Sequence, residues 1–158
     1  MSMMVPVNSV CAERYDAHEG CDISVRNGVL DLPPLEMPLS KRERSFLELA
    51  VRMAETSDVV NKHGAVIVKN SRVLALGVNK WRNPGYYNGR TVGQEDWQDI
   101  LTVHAEADAL SRVSDPDGCE IYIARISQLG TKQLSRPCWR CMSKIESAGI
   151  KRMIYTVG

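Results

Sequence analysis

Two short motifs, far apart in the chain, constrain the fold of this 158-residue sequence more than any other feature. The first is H-A-E at residues 104–106, and the second is P-C-W-R-C at residues 137–141. Two cysteines three positions apart at the start of a helix share one face, and the helix N-terminus favours their thiolate forms. Zinc accepts thiolate sulfur and imidazole nitrogen, and a catalytic zinc site has three protein ligands. We therefore predict a fold that brings His104, Cys138 and Cys141 together around one zinc ion.

Glu106 lies two residues beyond His104, close enough to reach a water on the metal without being a ligand. Zinc lowers the pKa of a bound water to roughly 7, and a carboxylate beside that water can take its proton and pass it on. Glu106 is therefore the predicted catalytic acid and base. Two alternatives remain open: a structural zinc completed by a fourth protein ligand, and a thioredoxin-like redox pair. The redox pair would leave His104 and Glu106 unexplained.

The hydrophobic pattern after residue 40 predicts alternating helices and strands. Ser40 and Glu43 form a capping box, which predicts that a helix begins there. Strands are predicted at 64–68, 73–78, 120–126 and 152–157, with further helices at 104–113 and 138–148. Gly149 stands where a helix of this kind ends. The order after the first helix is β-β-α-β-α-β, which indicates an α/β sandwich with a mixed sheet.

Composition and charge set the broad class of the protein. The sequence contains no stretch of eighteen apolar residues, so no membrane helix is predicted. The N-terminus does not look like a secretory signal, and a cytoplasmic location is therefore expected. An odd number of cysteines, five, argues against a disulfide framework. Residues 1–40 hold two basic and six acidic side chains, while the whole chain carries +1. The basic balance of the remainder suits an anionic substrate, but the overall charge does not favour a general nucleic-acid binder.

The two motifs together match a signature of zinc-dependent base deaminases, H-x-E followed by P-C-x-x-C. On these residues the chain resembles the cytidine deaminase-like superfamily, and within it the deoxycytidylate (dCMP) deaminase type often found in phages. The resemblance covers roughly residues 41–157 and includes the strands that carry Gly64 and Asn79. It implies a three-layer α/β/α sandwich, one catalytic zinc and a homo-oligomer, located in the host cytoplasm if the chain is phage-encoded. Asp108 departs from the family pattern, because asparagine is common at that position.

The resemblance implies hydrolytic deamination of a cytosine nucleotide, most directly dCMP to dUMP plus ammonia. A deaminase acting on a base in nucleic acid, either tRNA adenosine or single-stranded cytidine, is the alternative. A partner protein that zinc merely stabilises is less consistent with Glu106. By resemblance, Asn79 contacts the substrate, Ala105 lines the base pocket, and Gly64 and Ala65 lie near its floor. Pro137 is also expected at the substrate.

Further candidates rest on residue type and position alone. Basic side chains that could hold a phosphate flank the metal motif or lie in the long 79–101 loop: Arg90, Lys132, Arg136 and Arg140. Tyr86 could stack on a base or pack its loop against the body of the protein. Cys11, His18 and Cys21, perhaps with Cys119, could form a second, structural zinc site or be unrelated thiols. Residues 1–40 are expected to be an N-terminal extension, with a hairpin at Asn27-Gly28 that could cover a sheet edge, and residues 41–158 the deaminase domain.

Overall fold

The capping box predicted at Ser40 starts helix α1, Lys41–Glu55, in this computed structural model. The structure describes residues 2–6, 39–82 and 102–157. The Glu43 amide donates to Ser40 Oγ at 3.2 Å, and the Ser40 amide donates to Glu43 Oε2 at 2.8 Å. These reciprocal bonds satisfy two amides that the first helical turn leaves without partners.

The hairpin that follows α1 forms where the sequence predicts it. Strand β2, Lys62–Lys69, pairs antiparallel with β3, Arg72–Val78. Asn70 and Ser71 make the turn with positive φ angles of 50° and 65°, a conformation that asparagine tolerates well. A short ladder between β4, Lys80–Trp81, and β5, Thr102–Val103, then brings the chain to His104.

The second half of the chain supplies the two helices of the predicted metal site. Helix α2 spans Ala105–Leu110 and leads to strand β6, Glu120–Ile126. After the short strand β7, Lys132–Gln133, helix α3 spans Trp139–Ser147 and strand β8 spans Arg152–Thr156. Gly149, at φ 73°, follows the end of α3 as predicted. Helix α2 is shorter than predicted, because the Arg112 and Val113 amides bond carbonyls three residues back rather than four, which ends the α-helical pattern after Leu110.

The strands form a mixed sheet in the order β1-β8-β6-β2-β3, and β7 also pairs with β6. Strands β6 and β8 are parallel, whereas the other pairs are antiparallel. Alternate residues of β2 and β6 face opposite sides. One side packs on α1 through Val66, Val68 and Tyr122, and the other packs on α2 and α3 through a second buried cluster. This is the predicted three-layer α/β/α sandwich.

The edge of β8 is covered by residues that the sequence did not mark as a strand. Ser2–Pro6 form β1, antiparallel to β8, with Ser2 opposite Thr156 and Pro6 opposite Arg152. Part of the segment expected to be irregular therefore belongs to the sheet, where β1 pairs with β8 and becomes the edge strand. The hairpin predicted at Asn27-Gly28 lies outside the described residues.

Candidate metal centre and active site

His104 and the two cysteines lie close together at the starts of two helices. His104 is the N-cap of α2, in extended conformation at the end of β5, and Cys138 is the N-cap of α3. Cys141 lies one turn further along α3 and is buried. The two helices lie on the same side of the sheet and contact each other, so their N-termini converge.

The three side chains have the spacing that zinc needs. His104 Nδ1 is 3.5 Å from Cys138 Sγ and 3.3 Å from Cys141 Sγ, and the three potential ligand atoms all lie within 4.8 Å of one another. Tetrahedral bonds of about 2.3 Å to sulfur and about 2.0 Å to nitrogen put nitrogen and sulfur ~3.5 Å apart. One nitrogen and two sulfurs at this spacing fit a zinc ion and leave its fourth position for water.

The local electrostatics favour a thiolate at Cys138. Hydrogen bonding to Cys141, and after it to His104, lowers the pKa of the Cys138 thiol to about 4. The thiolate is the form that binds metal, so Cys138 is the more readily deprotonated of the two thiols. Its hydrogen bond with Cys138, together with burial, raises the pKa of the Cys141 thiol.

Glu106 lies in the first turn of α2 and is almost completely buried, with 4% of its surface exposed. Burial raises the pKa of its carboxyl, although its own backbone amide and the nearby His104 partly oppose that rise. Cys141 also hydrogen-bonds this carboxyl, so Glu106 borders the metal position. A carboxyl with a raised pKa exchanges protons more readily near neutral pH.

Small residues allow the helices to approach the sheet around this point. A Cβ on Gly77 would collide with the Ala105 carbonyl and, at 2.6 Å, with the Ala109 amide nitrogen. Ala65 and Ala105 are fully buried in the same cluster, on the side of the sheet that faces the metal ligands. Pro137 is buried immediately before Cys138.

Gly64 was expected near the floor of the substrate pocket, but the structure gives another reason for a glycine at this position: close packing against α1. A Cβ there would meet the Ala50 carbonyl and, at 2.5 Å, the Ala54 amide nitrogen of α1. Glycine is therefore required by the opposite layer of the sandwich. A contact with substrate would have to come from its backbone, and that role stays a prediction.

Asn79 follows β3 and is held by three neighbours. Its Oδ1 accepts from the Ser57 hydroxyl at 2.7 Å and from the His63 amide at 2.8 Å, and its Nδ2 donates to the Asn61 carbonyl at 2.5 Å. These contacts fix the orientation of the amide and leave one Nδ2 hydrogen for another acceptor. Ser57 and Asn61 were not identified from the sequence, since nothing in their local pattern marks them.

Asp108 connects α2 to the segment that carries Asn79. Its carboxylate, 5% exposed, accepts from Lys80 Nζ at 2.7 Å, the Val78 amide at 3.2 Å and Arg112 Nη2 at 3.1 Å. Burial alone would raise the pKa of Asp108, but these hydrogen bonds outweigh burial and lower it. Two cations therefore accompany this carboxylate, at the position where the resemblance led us to expect asparagine.

Replacing Asp108 tests this connection. Asp108→Ala should lower the free energy of unfolding by about 2 kcal/mol, because it leaves a buried amide and two cations without their acceptor. Asp108→Asn should cost about half as much, because the amide oxygen still accepts from Val78. Denaturant unfolding measures both, with Asp117→Ala as the control on an exposed turn. Equal losses for the two Asp108 variants would contradict this account.

The remaining candidates are dispersed. Lys132 pairs with Glu48 of α1, and Arg140 stacks on Trp139 at 5.2 Å. Arg136, next to Pro137, is partly buried. Cys119 is fully buried in the apolar core, where burial raises the pKa of its thiol. Several other candidates lie outside the described residues: Cys11, His18, Cys21, Tyr86 and Arg90.

These features together indicate a class of enzyme. A His-Cys-Cys metal position bordered by a buried glutamate, on a three-layer α/β/α fold, is the set of residues that a metal-dependent hydrolase uses. No helix in the described part of the chain is both long and apolar enough to cross a membrane.

Comparison with known proteins narrows the class to a family. The profile described as "Cytidine and deoxycytidylate deaminase zinc-binding region" matches residues 40–157. The deoxycytidylate deaminase of Mycobacterium phage D29 is 32% identical over 125 residues, which cover 70% of this chain and 90% of that protein. An uncharacterized deaminase of Aliivibrio fischeri is 27% identical over 117 residues, 73% of this chain and 72% of that protein.

A solved structure agrees with the sequence matches. The crystal structure of dCMP deaminase from the cyanophage S-TIM5 in apo form has a TM-score of 0.50 and 25% identity, over 68% of this chain and 76% of that one. This chain therefore belongs to the cytidine and deoxycytidylate deaminase family, and it is a hydrolytic deaminase.

Proposed function

We propose that this enzyme converts dCMP and water to dUMP and ammonia. The observation that carries the proposal is the His104-Cys138-Cys141 cluster with Glu106 buried beside it. The deoxycytidylate deaminase of phage D29 supports the choice of base and sugar. The cyanophage S-TIM5 dCMP deaminase, whose fold this chain shares, has also been solved with dCMP and dUMP.

In the proposed mechanism His104, Cys138 and Cys141 would hold zinc, and the residues around them would move the protons. When bound, zinc would lower the pKa of a water that acts as the nucleophile. Glu106 would take a proton from the attacking water and give it to N3 of the cytosine ring as the water oxygen bonds to C4. Glu106 then carries the second proton to the exocyclic amine, the C4–N bond breaks, and ammonia leaves. Burial suits Glu106 to both steps, because a raised pKa lets one carboxyl accept and return a proton.

The neighbouring residues would shape and orient the substrate. Ala65 and Ala105 leave room for a flat ring because their side chains are small and lie on the metal side of the sheet. Asn79 would offer its remaining Nδ2 hydrogen to the substrate, held in position by Ser57 and Asn61. Pro137, beside the ligand Cys138, would close another side of the pocket.

The substrate is tested by ammonia release from CMP, dCMP, dCTP, deoxycytidine and a single-stranded cytosine oligonucleotide. We expect turnover of dCMP, with kcat/KM at least about tenfold above that of the other substrates, which corresponds to one charged or polar contact. Preferred turnover of the oligonucleotide would overturn the proposal in favour of a nucleic-acid base deaminase. Activity on none of the five, with zinc bound, would also contradict it.

The organisation of the chain is part of the proposal. Residues 41–158 are proposed to form the deaminase domain and residues 1–40 an N-terminal extension, of which Ser2–Pro6 join the domain's sheet. Membership of the family further supports a homo-oligomer acting in the cytoplasm.

A further inference from the structure

Arg125 occupies the side of the sheet that carries the candidate active site. It lies near the end of β6, two residues after Ile123, which packs in the same buried cluster as Ala65 and Ala105. Because side chains alternate along a strand, Arg125 faces that side too. Its partner in the register with β2 is His63, which stands two residues, or about 7 Å, from Ala65.

The guanidinium of Arg125 is only partly satisfied by the described residues. Its Nη2 donates to Asn61 Oδ1 at 3.2 Å, whereas its Nε is buried and has no hydrogen-bond partner among residues 2–6, 39–82 and 102–157. No carboxylate of the described residues forms an ion pair with it. A guanidinium has five N–H donors in a fixed fork that matches phosphate oxygens, and buried donors of this kind normally have an acceptor.

Asn61 links this arginine to the substrate side of the site. The Asn61 side chain accepts a hydrogen bond from Arg125, and the Asn61 backbone carbonyl accepts one from Asn79 Nδ2. His63 Nδ1 lies 3.0 Å from that carbonyl, and His63 is near enough to His104 and Cys138 for their charges to act on it. Arg125 therefore lies on the same rim as Asn79, one strand position beyond the small residues expected around the base.

The other basic candidates are less suited to a ligand. Lys132 is engaged with Glu48 on α1, and Arg140 rests on the Trp139 ring. Lys62 donates to the carbonyls of Glu55 and Ser57. Arg125 combines a permanent charge, a buried donor that has no acceptor in the described part of the chain, and a place on the active-site side of the sheet.

We propose that Arg125 binds the 5′-phosphate of the nucleotide and thereby makes this enzyme prefer nucleotides to nucleosides. The inference rests on the proposed function, because it assigns the phosphate contact of that same substrate. The base would lie at the metal position and the phosphate toward the ends of β2 and β6, with the sugar beside Asn79.

Binding and turnover together test the proposal on the zinc-loaded full chain. Calorimetry compares dUMP with deoxyuridine, and kinetics compare dCMP with deoxycytidine, for the wild type, Arg125→Gln and Arg125→Lys. We expect Arg125→Gln to weaken dUMP binding and to raise KM for dCMP by about 10- to 100-fold, with little change for the nucleosides. Arg125→Lys should weaken dUMP binding by at least about threefold, because lysine keeps the charge but not the forked geometry of the guanidinium.

The control variant is Arg52→Gln, which removes the same charge from the exposed side of α1, in the opposite layer. It should leave the preference for phosphate unchanged. Equal losses for nucleotide and nucleoside in Arg125→Gln would show a merely structural role and overturn the inference, as would a wild type that binds dUMP no more tightly than deoxyuridine. If Arg125→Gln does not fold, an unchanged preference in Arg125→Lys overturns it.

The proposed function can fail separately. A wild type that binds dUMP more tightly than deoxyuridine, with the difference abolished in Arg125→Gln, supports the phosphate site even if dCMP is not turned over. Turnover of dCMP with an unaltered preference in the Arg125 variants keeps the proposed function and removes the inference.

Discussion

Glu106→Gln is expected to lower kcat for dCMP deamination by about 10³-fold or more and to leave the bound zinc in place. Glutamine has nearly the same shape as glutamate but cannot take a proton from water, and general acid–base catalysis typically contributes about 10²- to 10⁴-fold. Glu106 serves both proton transfers in the proposed mechanism, so its loss should affect kcat rather than KM. Steady-state kinetics and metal analysis of the same preparations provide the measurement.

Glu146→Gln is the matched control, because Glu146 is exposed on α3 and the same charge is removed. Its kcat should equal that of the wild type. If Glu106→Gln kept more than about a tenth of the wild-type kcat, Glu106 would not be the proton carrier. If zinc were lost together with activity, the effect would be structural and the proton-transfer role would be unsupported.

The layered fold was predictable because its information is local. The strands at 64–68 and 120–126 are almost continuous apolar runs, typical of strands covered on both faces, and the capping box marks where α1 begins. The meeting of His104 with Cys138 and Cys141 was also predictable, since the shared preference of those residue types for zinc supplies a long-range constraint. The three side chains do lie together in the structure, and their role as zinc ligands stays a prediction.

The contacts around the site were not predictable in the same way. The sequence marks Asp108 as a departure from the family pattern but gives no partner for it, and only the fold places it beside the Val78 amide and Lys80. Arg125 looks like a solvated residue in a strand, because the sequence does not show that its neighbour in space is Asn61. Strand β1 was not predictable for the same reason, because it pairs with β8 at the opposite end of the chain.

Removing one of the proposed zinc ligands should be the most destabilising single change at the site. Cys141→Ser is expected to abolish stoichiometric zinc binding and activity, because hydroxyl oxygen is a poor replacement for a thiolate. Since zinc binding is coupled to the folded state, we also expect a fall in Tm of about 10 °C, equivalent to ~3–5 kcal/mol in a chain of this size. Metal analysis and thermal unfolding measure the two effects.

Cys119→Ser is the matched control for this variant. Cys119 is also a buried thiol in the apolar core, but it is not part of the His104-Cys138-Cys141 group, so its replacement should lower Tm while zinc remains bound. A chelator should then destabilise the wild type and Cys119→Ser alike and have little further effect on Cys141→Ser. Zinc retained by Cys141→Ser at the wild-type level would remove Cys141 from the ligand set, whereas zinc lost from Cys119→Ser would show that a disturbed core alone is enough to release the metal.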